Sequence, residues 1–263
     1  MRELRELCGD GSGFAADFRQ EDPGEITVSL SEIRMPEAVA ALLQALRSRT
    51  GFARVVVETE CAGMEELFLQ CGFRQIRADR WCFHHPAEVS CRLLAETELN
   101  VELFTAFHRY QNVTRCWRRE NGAAVLKNIA FTEEWSPEDY SFLVKCLRNT
   151  VATGGAVAGA FQNGTLIGFA SLENTRLGSC GQYLQLSSLH VSAEFRGRGI
   201  GRMLFSRMVE EGRNRIAEKL YISSHSAEET QAFYRSIGCV EAEEIQEDLL
   251  AHEPCDCMLE YAL

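Results

Sequence analysis

The chain has no long apolar run. Its longest weakly polar stretch lies around Val157 to Phe161 and is far too short to cross a bilayer. The opening residues, Met1-Arg2-Glu3-Leu4-Arg5-Glu6-Leu7, lack the apolar core of a secretory signal. The expected location is therefore cytoplasmic, with no membrane partner. Basic residues are also scarce. Across 263 residues, 27 Lys and Arg stand against 38 Asp and Glu, a net charge of −11. Nucleic-acid backbones need clustered cations, so this balance argues against such a partner. The 11 cysteines lack the paired spacings of a zinc finger or a disulfide framework. Their odd, scattered set suits a reducing compartment, where buried Cys acts as a small hydrophobe. Cys82, His84, His85 and Cys91 gather ligand types without ligand spacing, and no metal is expected. Cys255 and Cys257 would share one face of a strand.

Two phosphate-binding motifs are missing as well. Neither G-x-G-x-x-G nor Gly-Lys-Ser/Thr is present, which sets aside the common dinucleotide and nucleoside-triphosphate loops. What the chain does have is Arg196-Gly197-Arg198-Gly199-Ile200-Gly201. The apolar run Leu186 to Val191 precedes it, and the helical spacing Ile200, Leu204, Met208 follows. Strand, glycine turn and helix in that order aim backbone N–H groups and the positive end of a helix dipole at an anion. Arg196, Arg198 and Arg202 add charge. A Gly/Arg-rich surface turn is the plainer alternative. The pattern R-x-x-G-x-G, met by Arg196, Gly199 and Gly201, resembles the pyrophosphate loop of the GCN5-related N-acetyltransferase (GNAT) family. A second segment, Ala232-Phe233-Tyr234-Arg235-Ser236-Ile237-Gly238, resembles that family's A-x-F/L-Y-x-x-x-G-F stretch.

The resemblance covers about residues 91–263. It implies an α/β acyl-CoA N-acyltransferase fold, a mixed central sheet flanked by helices, with a smaller α/β domain before it. Residues 89–263 are the expected catalytic domain and 1–88 the expected N-terminal domain, with a boundary near Pro86 to Ser90. Local signals agree with this order. Val101 to Tyr110 reads as an amphipathic helix, and Ser136-Pro137-Glu138-Asp139 as a capped helix start. Asn163-Gly164 reads as a tight hairpin turn between Ala156–Phe161 and Leu166–Ser171. Strands are expected at Tyr183–Val191, Lys219–Ser223 and Met258–Ala262, and a helix at Ala227–Ile237 that ends on Gly238. Trp117 and Trp135 are expected in or near helices.

The resemblance implies a reaction: the acetyl group of acetyl-CoA moves to a primary amine by direct attack. Arg196, Gly197, Arg198, Gly199, Ile200, Gly201 and Arg202 would hold the pyrophosphate. Leu189, His190 and Val191 would pair with the pantetheine arm, in a gap where two strands splay apart. A backbone N–H there suits an oxyanion. Tyr234 would be the general acid for the leaving thiolate. His190 and Glu173 are candidate bases, and His225 follows the next strand. Where the family often has Asn, seven residues before the tyrosine, this chain has Ala227. From Glu228 onward ten acids face one base, Arg235. That field favours a cationic small-molecule or peptide amine. The alternative is a silent coenzyme-binding sensor or interaction module.

The first 90 residues contain an echo. Arg54–Glu58 followed by Glu65 to Phe73 repeats the strand, helix and glycine of Lys219–Ser223 followed by Ala232 to Cys239. Gly72 aligns with Gly238, and Phe68 stands in the slot of Tyr234. Leu30-Ser31-Glu32-Ile33-Arg34-Met35-Pro36, where a glycine loop would fall, has no glycine. The expectation is a degenerate half-domain without chemistry, and an unrelated β-α-β-α segment is the alternative.

Overall fold

The computed structural model describes residues 13–20, 25–48, 54–84, 89–120 and 122–263. Met1 to Leu7, His85 and the 86–88 part of the expected boundary lie outside the described residues. The chain forms two compact units. One comprises residues 1–87 with 193–196, the other residues 88–192 with 197–263. Among the described residues, no helix is long and apolar enough to cross a membrane.

The N-terminal unit runs β1 (Ala15–Arg19), β2 (Glu25–Ser31), α1 (Pro36–Ser48), β3 (Arg54–Thr59), α2 (Glu65–Gln70), β4 (Arg74–Arg77) and β5 (Arg80–His84). Its sheet order is β1-β2-β3-β5-β4. Ile26, Val28, Leu42, Leu46, Val55, Val57 and Phe68 make the core, which fits alternation on the strands and helical spacing on α1.

The C-terminal unit opens with β6 (Val89–Leu93) and the long hairpin β7 (Tyr110–Glu120) and β8 (Ala123–Glu134). Next come α3 (Pro137–Ala152), β9 (Ala156–Gln162), β10 (Thr165–Leu177), β11 (Tyr183–Val191), α4 (Ile200–Asn214) and β12 (Lys219–Ser224). It closes with α5 (Glu228–Ser236), β13 (Val240–Glu241), α6 (Glu247–His252) and β14 (Cys257–Ala262). The seven-stranded order is β13-β14-β12-β11-β10-β9-β6.

The local signals at Ser136 and Asn163 match the structure. Asp139 N–H donates to Ser136 Oγ (3.2 Å), and Ser136 N–H returns to Asp139 Oδ2 (2.8 Å), a reciprocal capping box. Asn163 and Gly164 both take positive φ, 51° and 80°, as a type I′ turn requires. One expectation is corrected. Val101 to Tyr110 is not an amphipathic helix: it is a single 3₁₀ turn, Val101–Phe104, and Tyr110 already begins β7. Asn100 caps this turn at its start, its Oδ1 accepting the Leu103 N–H (2.9 Å), and the turn ends at Phe104. Trp117 accordingly lies on β7 and Trp135 just after β8. Cys255 precedes β14, so Cys255 and Cys257 do not share one strand.

The two units repeat one topology. In the N-terminal unit β1 is antiparallel to β2, β2 parallel to β3, β3 antiparallel to β5, and β5 antiparallel to β4. The series β10, β11, β12, β14, β13 pairs in the same senses and the same order. The helix ends match too. Phe73 N–H donates to Phe68 O and Gly72 N–H to Leu69 O; Cys239 N–H donates to Tyr234 O and Gly238 N–H to Arg235 O. Both are Schellman closures, with Gly72 (φ 81°) and Gly238 (φ 97°) in the left-handed position. Phe68 and Tyr234 thus stand at equivalent points four residues before their glycines.

Candidate functional site

The difference between the two sheets lies in one strand pair. β2 and β3 pair along six positions, from Glu25↔Arg54 to Leu30↔Thr59. β11 and β12 pair at three, Tyr183↔Lys219 to Gln185↔Tyr221, and there the pairing ends. Past Gln185 each strand follows its other neighbour: β11 keeps to β10 as far as Val191↔Gly168, and β12 keeps to β14 as far as Ser224↔Cys257. The β10–β11 ladder shifts register on either side of Leu172, and such bulges bend a strand. The result is a V-shaped gap that opens toward Val191 and Ser224.

The glycine turn stands at the open end of β11. Gly197 (φ 75°) and Gly199 (φ 79°) occupy the left-handed region, and Gly199 is the N-cap of α4 with no side-chain cap. The first N–H groups of a helix have no acceptor within it, so this end offers donors to an anion. Gly168 and Gly201 serve a different purpose, clearance. A Cβ on Gly168 would lie 2.9 Å from Leu204 Cδ1, so its absence lets α4 approach β10. A Cβ on Gly201 would lie 3.1 Å from the Phe233 ring, so its absence lets α5 approach α4. Arg202 Nη2 also reaches Ser236 O (3.4 Å). Arg196 ends the short segment grouped with the N-terminal unit.

That approach of α5 fixes Tyr234 beside Phe233, with ring centroids 5.1 Å apart. Tyr234 is buried. Burial, then the neighbouring Cys239 and Asp256, pushes its phenol well above the ordinary tyrosine range. It therefore stays a donor at neutral pH.

A polar chain crosses the open end of the V. His190 meets Trp135 edge-on at 4.9 Å. The Arg109 guanidinium carbon lies 5.7 Å from the Trp135 ring centre. Arg109 Nη2 donates to Glu133 Oε2 (2.6 Å), and Glu133 Oε1 lies 3.6 Å from His225 Nε2. Ala227 N–H donates to His225 Nδ1 (3.1 Å), which leaves the proton of a neutral ring on Nε2, toward Glu133. For His225 to act as a base it must give up the Ala227 bond. Asp256, at the head of β14, accepts from Ser223 Oγ (3.1 Å). Burial raises its carboxyl, and the nearby Glu253 and Glu133 push the same way.

Glu173 belongs to a different group of side chains. Its Oε1 accepts from Thr150 Oγ1 (2.8 Å) and Ser187 Oγ (2.6 Å). His190 sits nearer the open end, against Phe169 and Trp135. Sequence reasoning missed Arg109, Glu133 and Asp256. For Glu133 a signal was present. Ile129 and Phe131 pack on Val113, Cys116 and Ala227, and strand alternation carries Glu133 to the same face. The acids past Glu228 are also less free than their number suggests. Glu228 pairs with Arg115, Glu241 with Arg119, and both Glu243 and Glu260 with Lys219.

Residues 115–239 match the acetyltransferase (GNAT) family. No curated protein matches the chain in sequence. Similar solved structures include a protein assigned as a streptothricin acetyltransferase from Bacillus anthracis str. Ames, in complex with acetyl coenzyme A. It is 11% identical with a TM-score of 0.52, over 67% of this chain and 99% of that one. A nourseothricin acetyltransferase is 15% identical with a TM-score of 0.46, over 65% and 95%. The PaiA N-acetyltransferase from Thermoplasma acidophilum, in complex with coenzyme A, is 14% identical with a TM-score of 0.43, over 67% and 99%. The first of these shares the fold of the C-terminal unit; the N-terminal mixed sheet stands outside the family match.

Proposed function

The chain belongs to the acetyltransferase (GNAT) family through its C-terminal unit, and from that premise we propose that it moves the acetyl group of acetyl-CoA to a primary amine. The observation that carries the reading is the β11–β12 divergence, with a glycine turn and helix start at the end of one arm. The coenzyme supplies an activated acyl group on sulfur. The backbone of Gly197–Gly201 and the start of α4 hold its pyrophosphate, with Arg196, Arg198 and Arg202 as counter-charges. Leu189, His190 and Val191 hold the arm, and a backbone N–H on β11 receives the carbonyl oxygen as charge develops there. A C–N bond forms as the C–S bond breaks. The amine gives up one proton, and Tyr234 gives one to the departing sulfur. His190 is the better placed of the two expected bases, because Glu173 Oε1 already accepts from two hydroxyls.

The test is free-thiol release from acetyl-CoA across a panel of amines. Turnover with at least one amine is expected. Coenzyme binding with no thiol release from any of them would make the protein a binding module instead.

The N-terminal unit fits a degenerate half-domain of the same kind. The topology and the Gly72 closure support this, while the unbroken β2–β3 pairing leaves no gap and Phe68 has no hydroxyl. The expected calorimetric stoichiometry is therefore one acetyl-CoA per chain. Gly199→Val should raise the coenzyme Kd about tenfold or more, since a left-handed L-residue costs roughly 1–2 kcal/mol and β-branching adds to it. A second binding event would count against the degenerate half-domain, and an unchanged Kd in the variant would count against the glycine turn as the pyrophosphate site.

A further inference from the structure

Arg109 holds a charge that the proposed transfer does not use. The residue is 8% exposed. Nη2 is engaged by Glu133, but Nε and Nη1 are buried with no acceptor among the described residues. Buried donors in native proteins almost always have partners, so these two N–H groups call for acceptors beyond the described residues, a bound ligand or water. The Arg109 backbone is not free to swing the group away. Its N–H donates to Tyr140 Oη (3.1 Å), Tyr140 Oη donates to Phe107 O (2.7 Å), and Trp135 N–H donates to Arg109 O (3.2 Å).

The position of this cation indicates what the acceptor is. It lies between His190, through Trp135, and His225, through Glu133, across the open end of the gap. In the proposed reaction the amine approaches there. A carboxylate takes two parallel N–H bonds from one edge of a guanidinium, and the edge open to it here is Nη1 with the second proton of Nη2, since Nε and Nη1 lie on opposite edges. Charge adds a second condition. Glu133 already balances Arg109, and Asp256 adds an acid nearby. A lone anion would therefore meet negative surroundings, whereas an anion that carries its own ammonium group does not.

We propose that Arg109 binds the carboxylate of the acceptor, so that the substrate is an amino acid or a similar small amino-carboxylate. This rests on the acetyl-transfer reading above and narrows it: the ammonium end faces the acids, and the carboxylate end completes Arg109.

The experiment uses the unmodified full chain and matched triples: lysine, lysinamide and cadaverine; phenylalanine, phenylalaninamide and phenethylamine. Thiol release gives kcat/KM for each. At least about a tenfold preference for the carboxylate member of a triple is expected, in line with the strength of charge-assisted bonds. Arg109→Lys should abolish that preference through KM, with melting temperature and acetyl-CoA Kd as folding controls; if the variant does not fold, the triples decide alone. Equal or better turnover of the decarboxylated amines, or of a peptide with an amidated C-terminus, overturns the proposal. Failure of the underlying reading looks different: no member of any triple, decarboxylated amines included, releases thiol.

Discussion

Replacing Tyr234 with phenylalanine lowers turnover by about 100-fold or more and leaves the acetyl-CoA dissociation constant essentially unchanged. The factor is that of a positioned general acid, typically 10²–10⁴. The substitution removes one oxygen and keeps the ring against Phe233, so the approach of α5 to Gly201 persists. The proposed binding elements, Gly197 to Gly201 and the end of β11, contain no part of the change. The pH profile supplies a second readout. Burial, with Cys239 and Asp256 nearby, raises the phenol above its ordinary value near 10. In the proposed mechanism the protonated form is the active one, and a raised value extends it to higher pH. No alkaline loss of activity attributable to Tyr234 should therefore set in below about pH 10. Steady-state kinetics together with coenzyme titration check both statements. Unchanged turnover in the phenylalanine variant removes Tyr234 from the mechanism.

Legibility in the sequence followed the range of the interaction. The box at Ser136 and Asp139, the turn at Asn163-Gly164 and the left-handed Gly238 are each specified within four or five residues. The glycine turn and Tyr234 are similarly local, and so they could be named from the chain alone. The β7–β8 hairpin is different. Val101 to Tyr110 has helical apolar spacing, but the helix that Asn100 caps stops after one 3₁₀ turn, and Arg109 turns inward to Glu133 instead of outward. The polar chain across the gap joins residues 109, 133, 190 and 225 from four separate segments. No spacing in the sequence brings those residues together; the sheet order does. The same holds for the gap itself. Leu186 to Val191 reads as any buried strand would, and only the partner choice of β12, which follows β14 to Ser224, shows where the pairing stops.

The closed end of the V fixes that geometry, and there a single carboxylate has a large predicted effect. Glu260 on β14 is buried. Tyr183 Oη donates to its Oε2 (2.6 Å), Lys219 Nζ to its Oε1 (2.7 Å) and Glu243 N–H to its Oε2 (3.0 Å). Tyr183 and Lys219 are directly paired positions of β11 and β12, so Glu260 ties together the first rung of the short parallel ladder. Glu260→Ala leaves the Tyr183 hydroxyl buried without its acceptor. Removing one member of such a buried group costs about 3 kcal/mol. For a unit of this size that corresponds to a melting temperature lower by roughly 6–12 °C. Burial acts to raise the Glu260 carboxyl, but the bonds from Lys219 and Tyr183 outweigh it and hold the group below the ordinary carboxylate range. With the folded value depressed, the stabilisation is complete above the unfolded value near 4.3 and is lost as pH falls through the folded one. The gap in melting temperature between the native chain and Glu260→Ala should thus be constant from about pH 6 to 8 and narrow below about pH 4. Thermal melts at stepped pH measure it, and a gap that is absent at pH 7, or that widens in acid, rejects the clamp. Glu260→Gln retains an acceptor for Tyr183 and should fall between the two. Because the clamp sets the angle at which β11 and β12 part, both variants should also weaken acetyl-CoA binding, although Glu260 lies at the opposite end of the gap from the glycine turn.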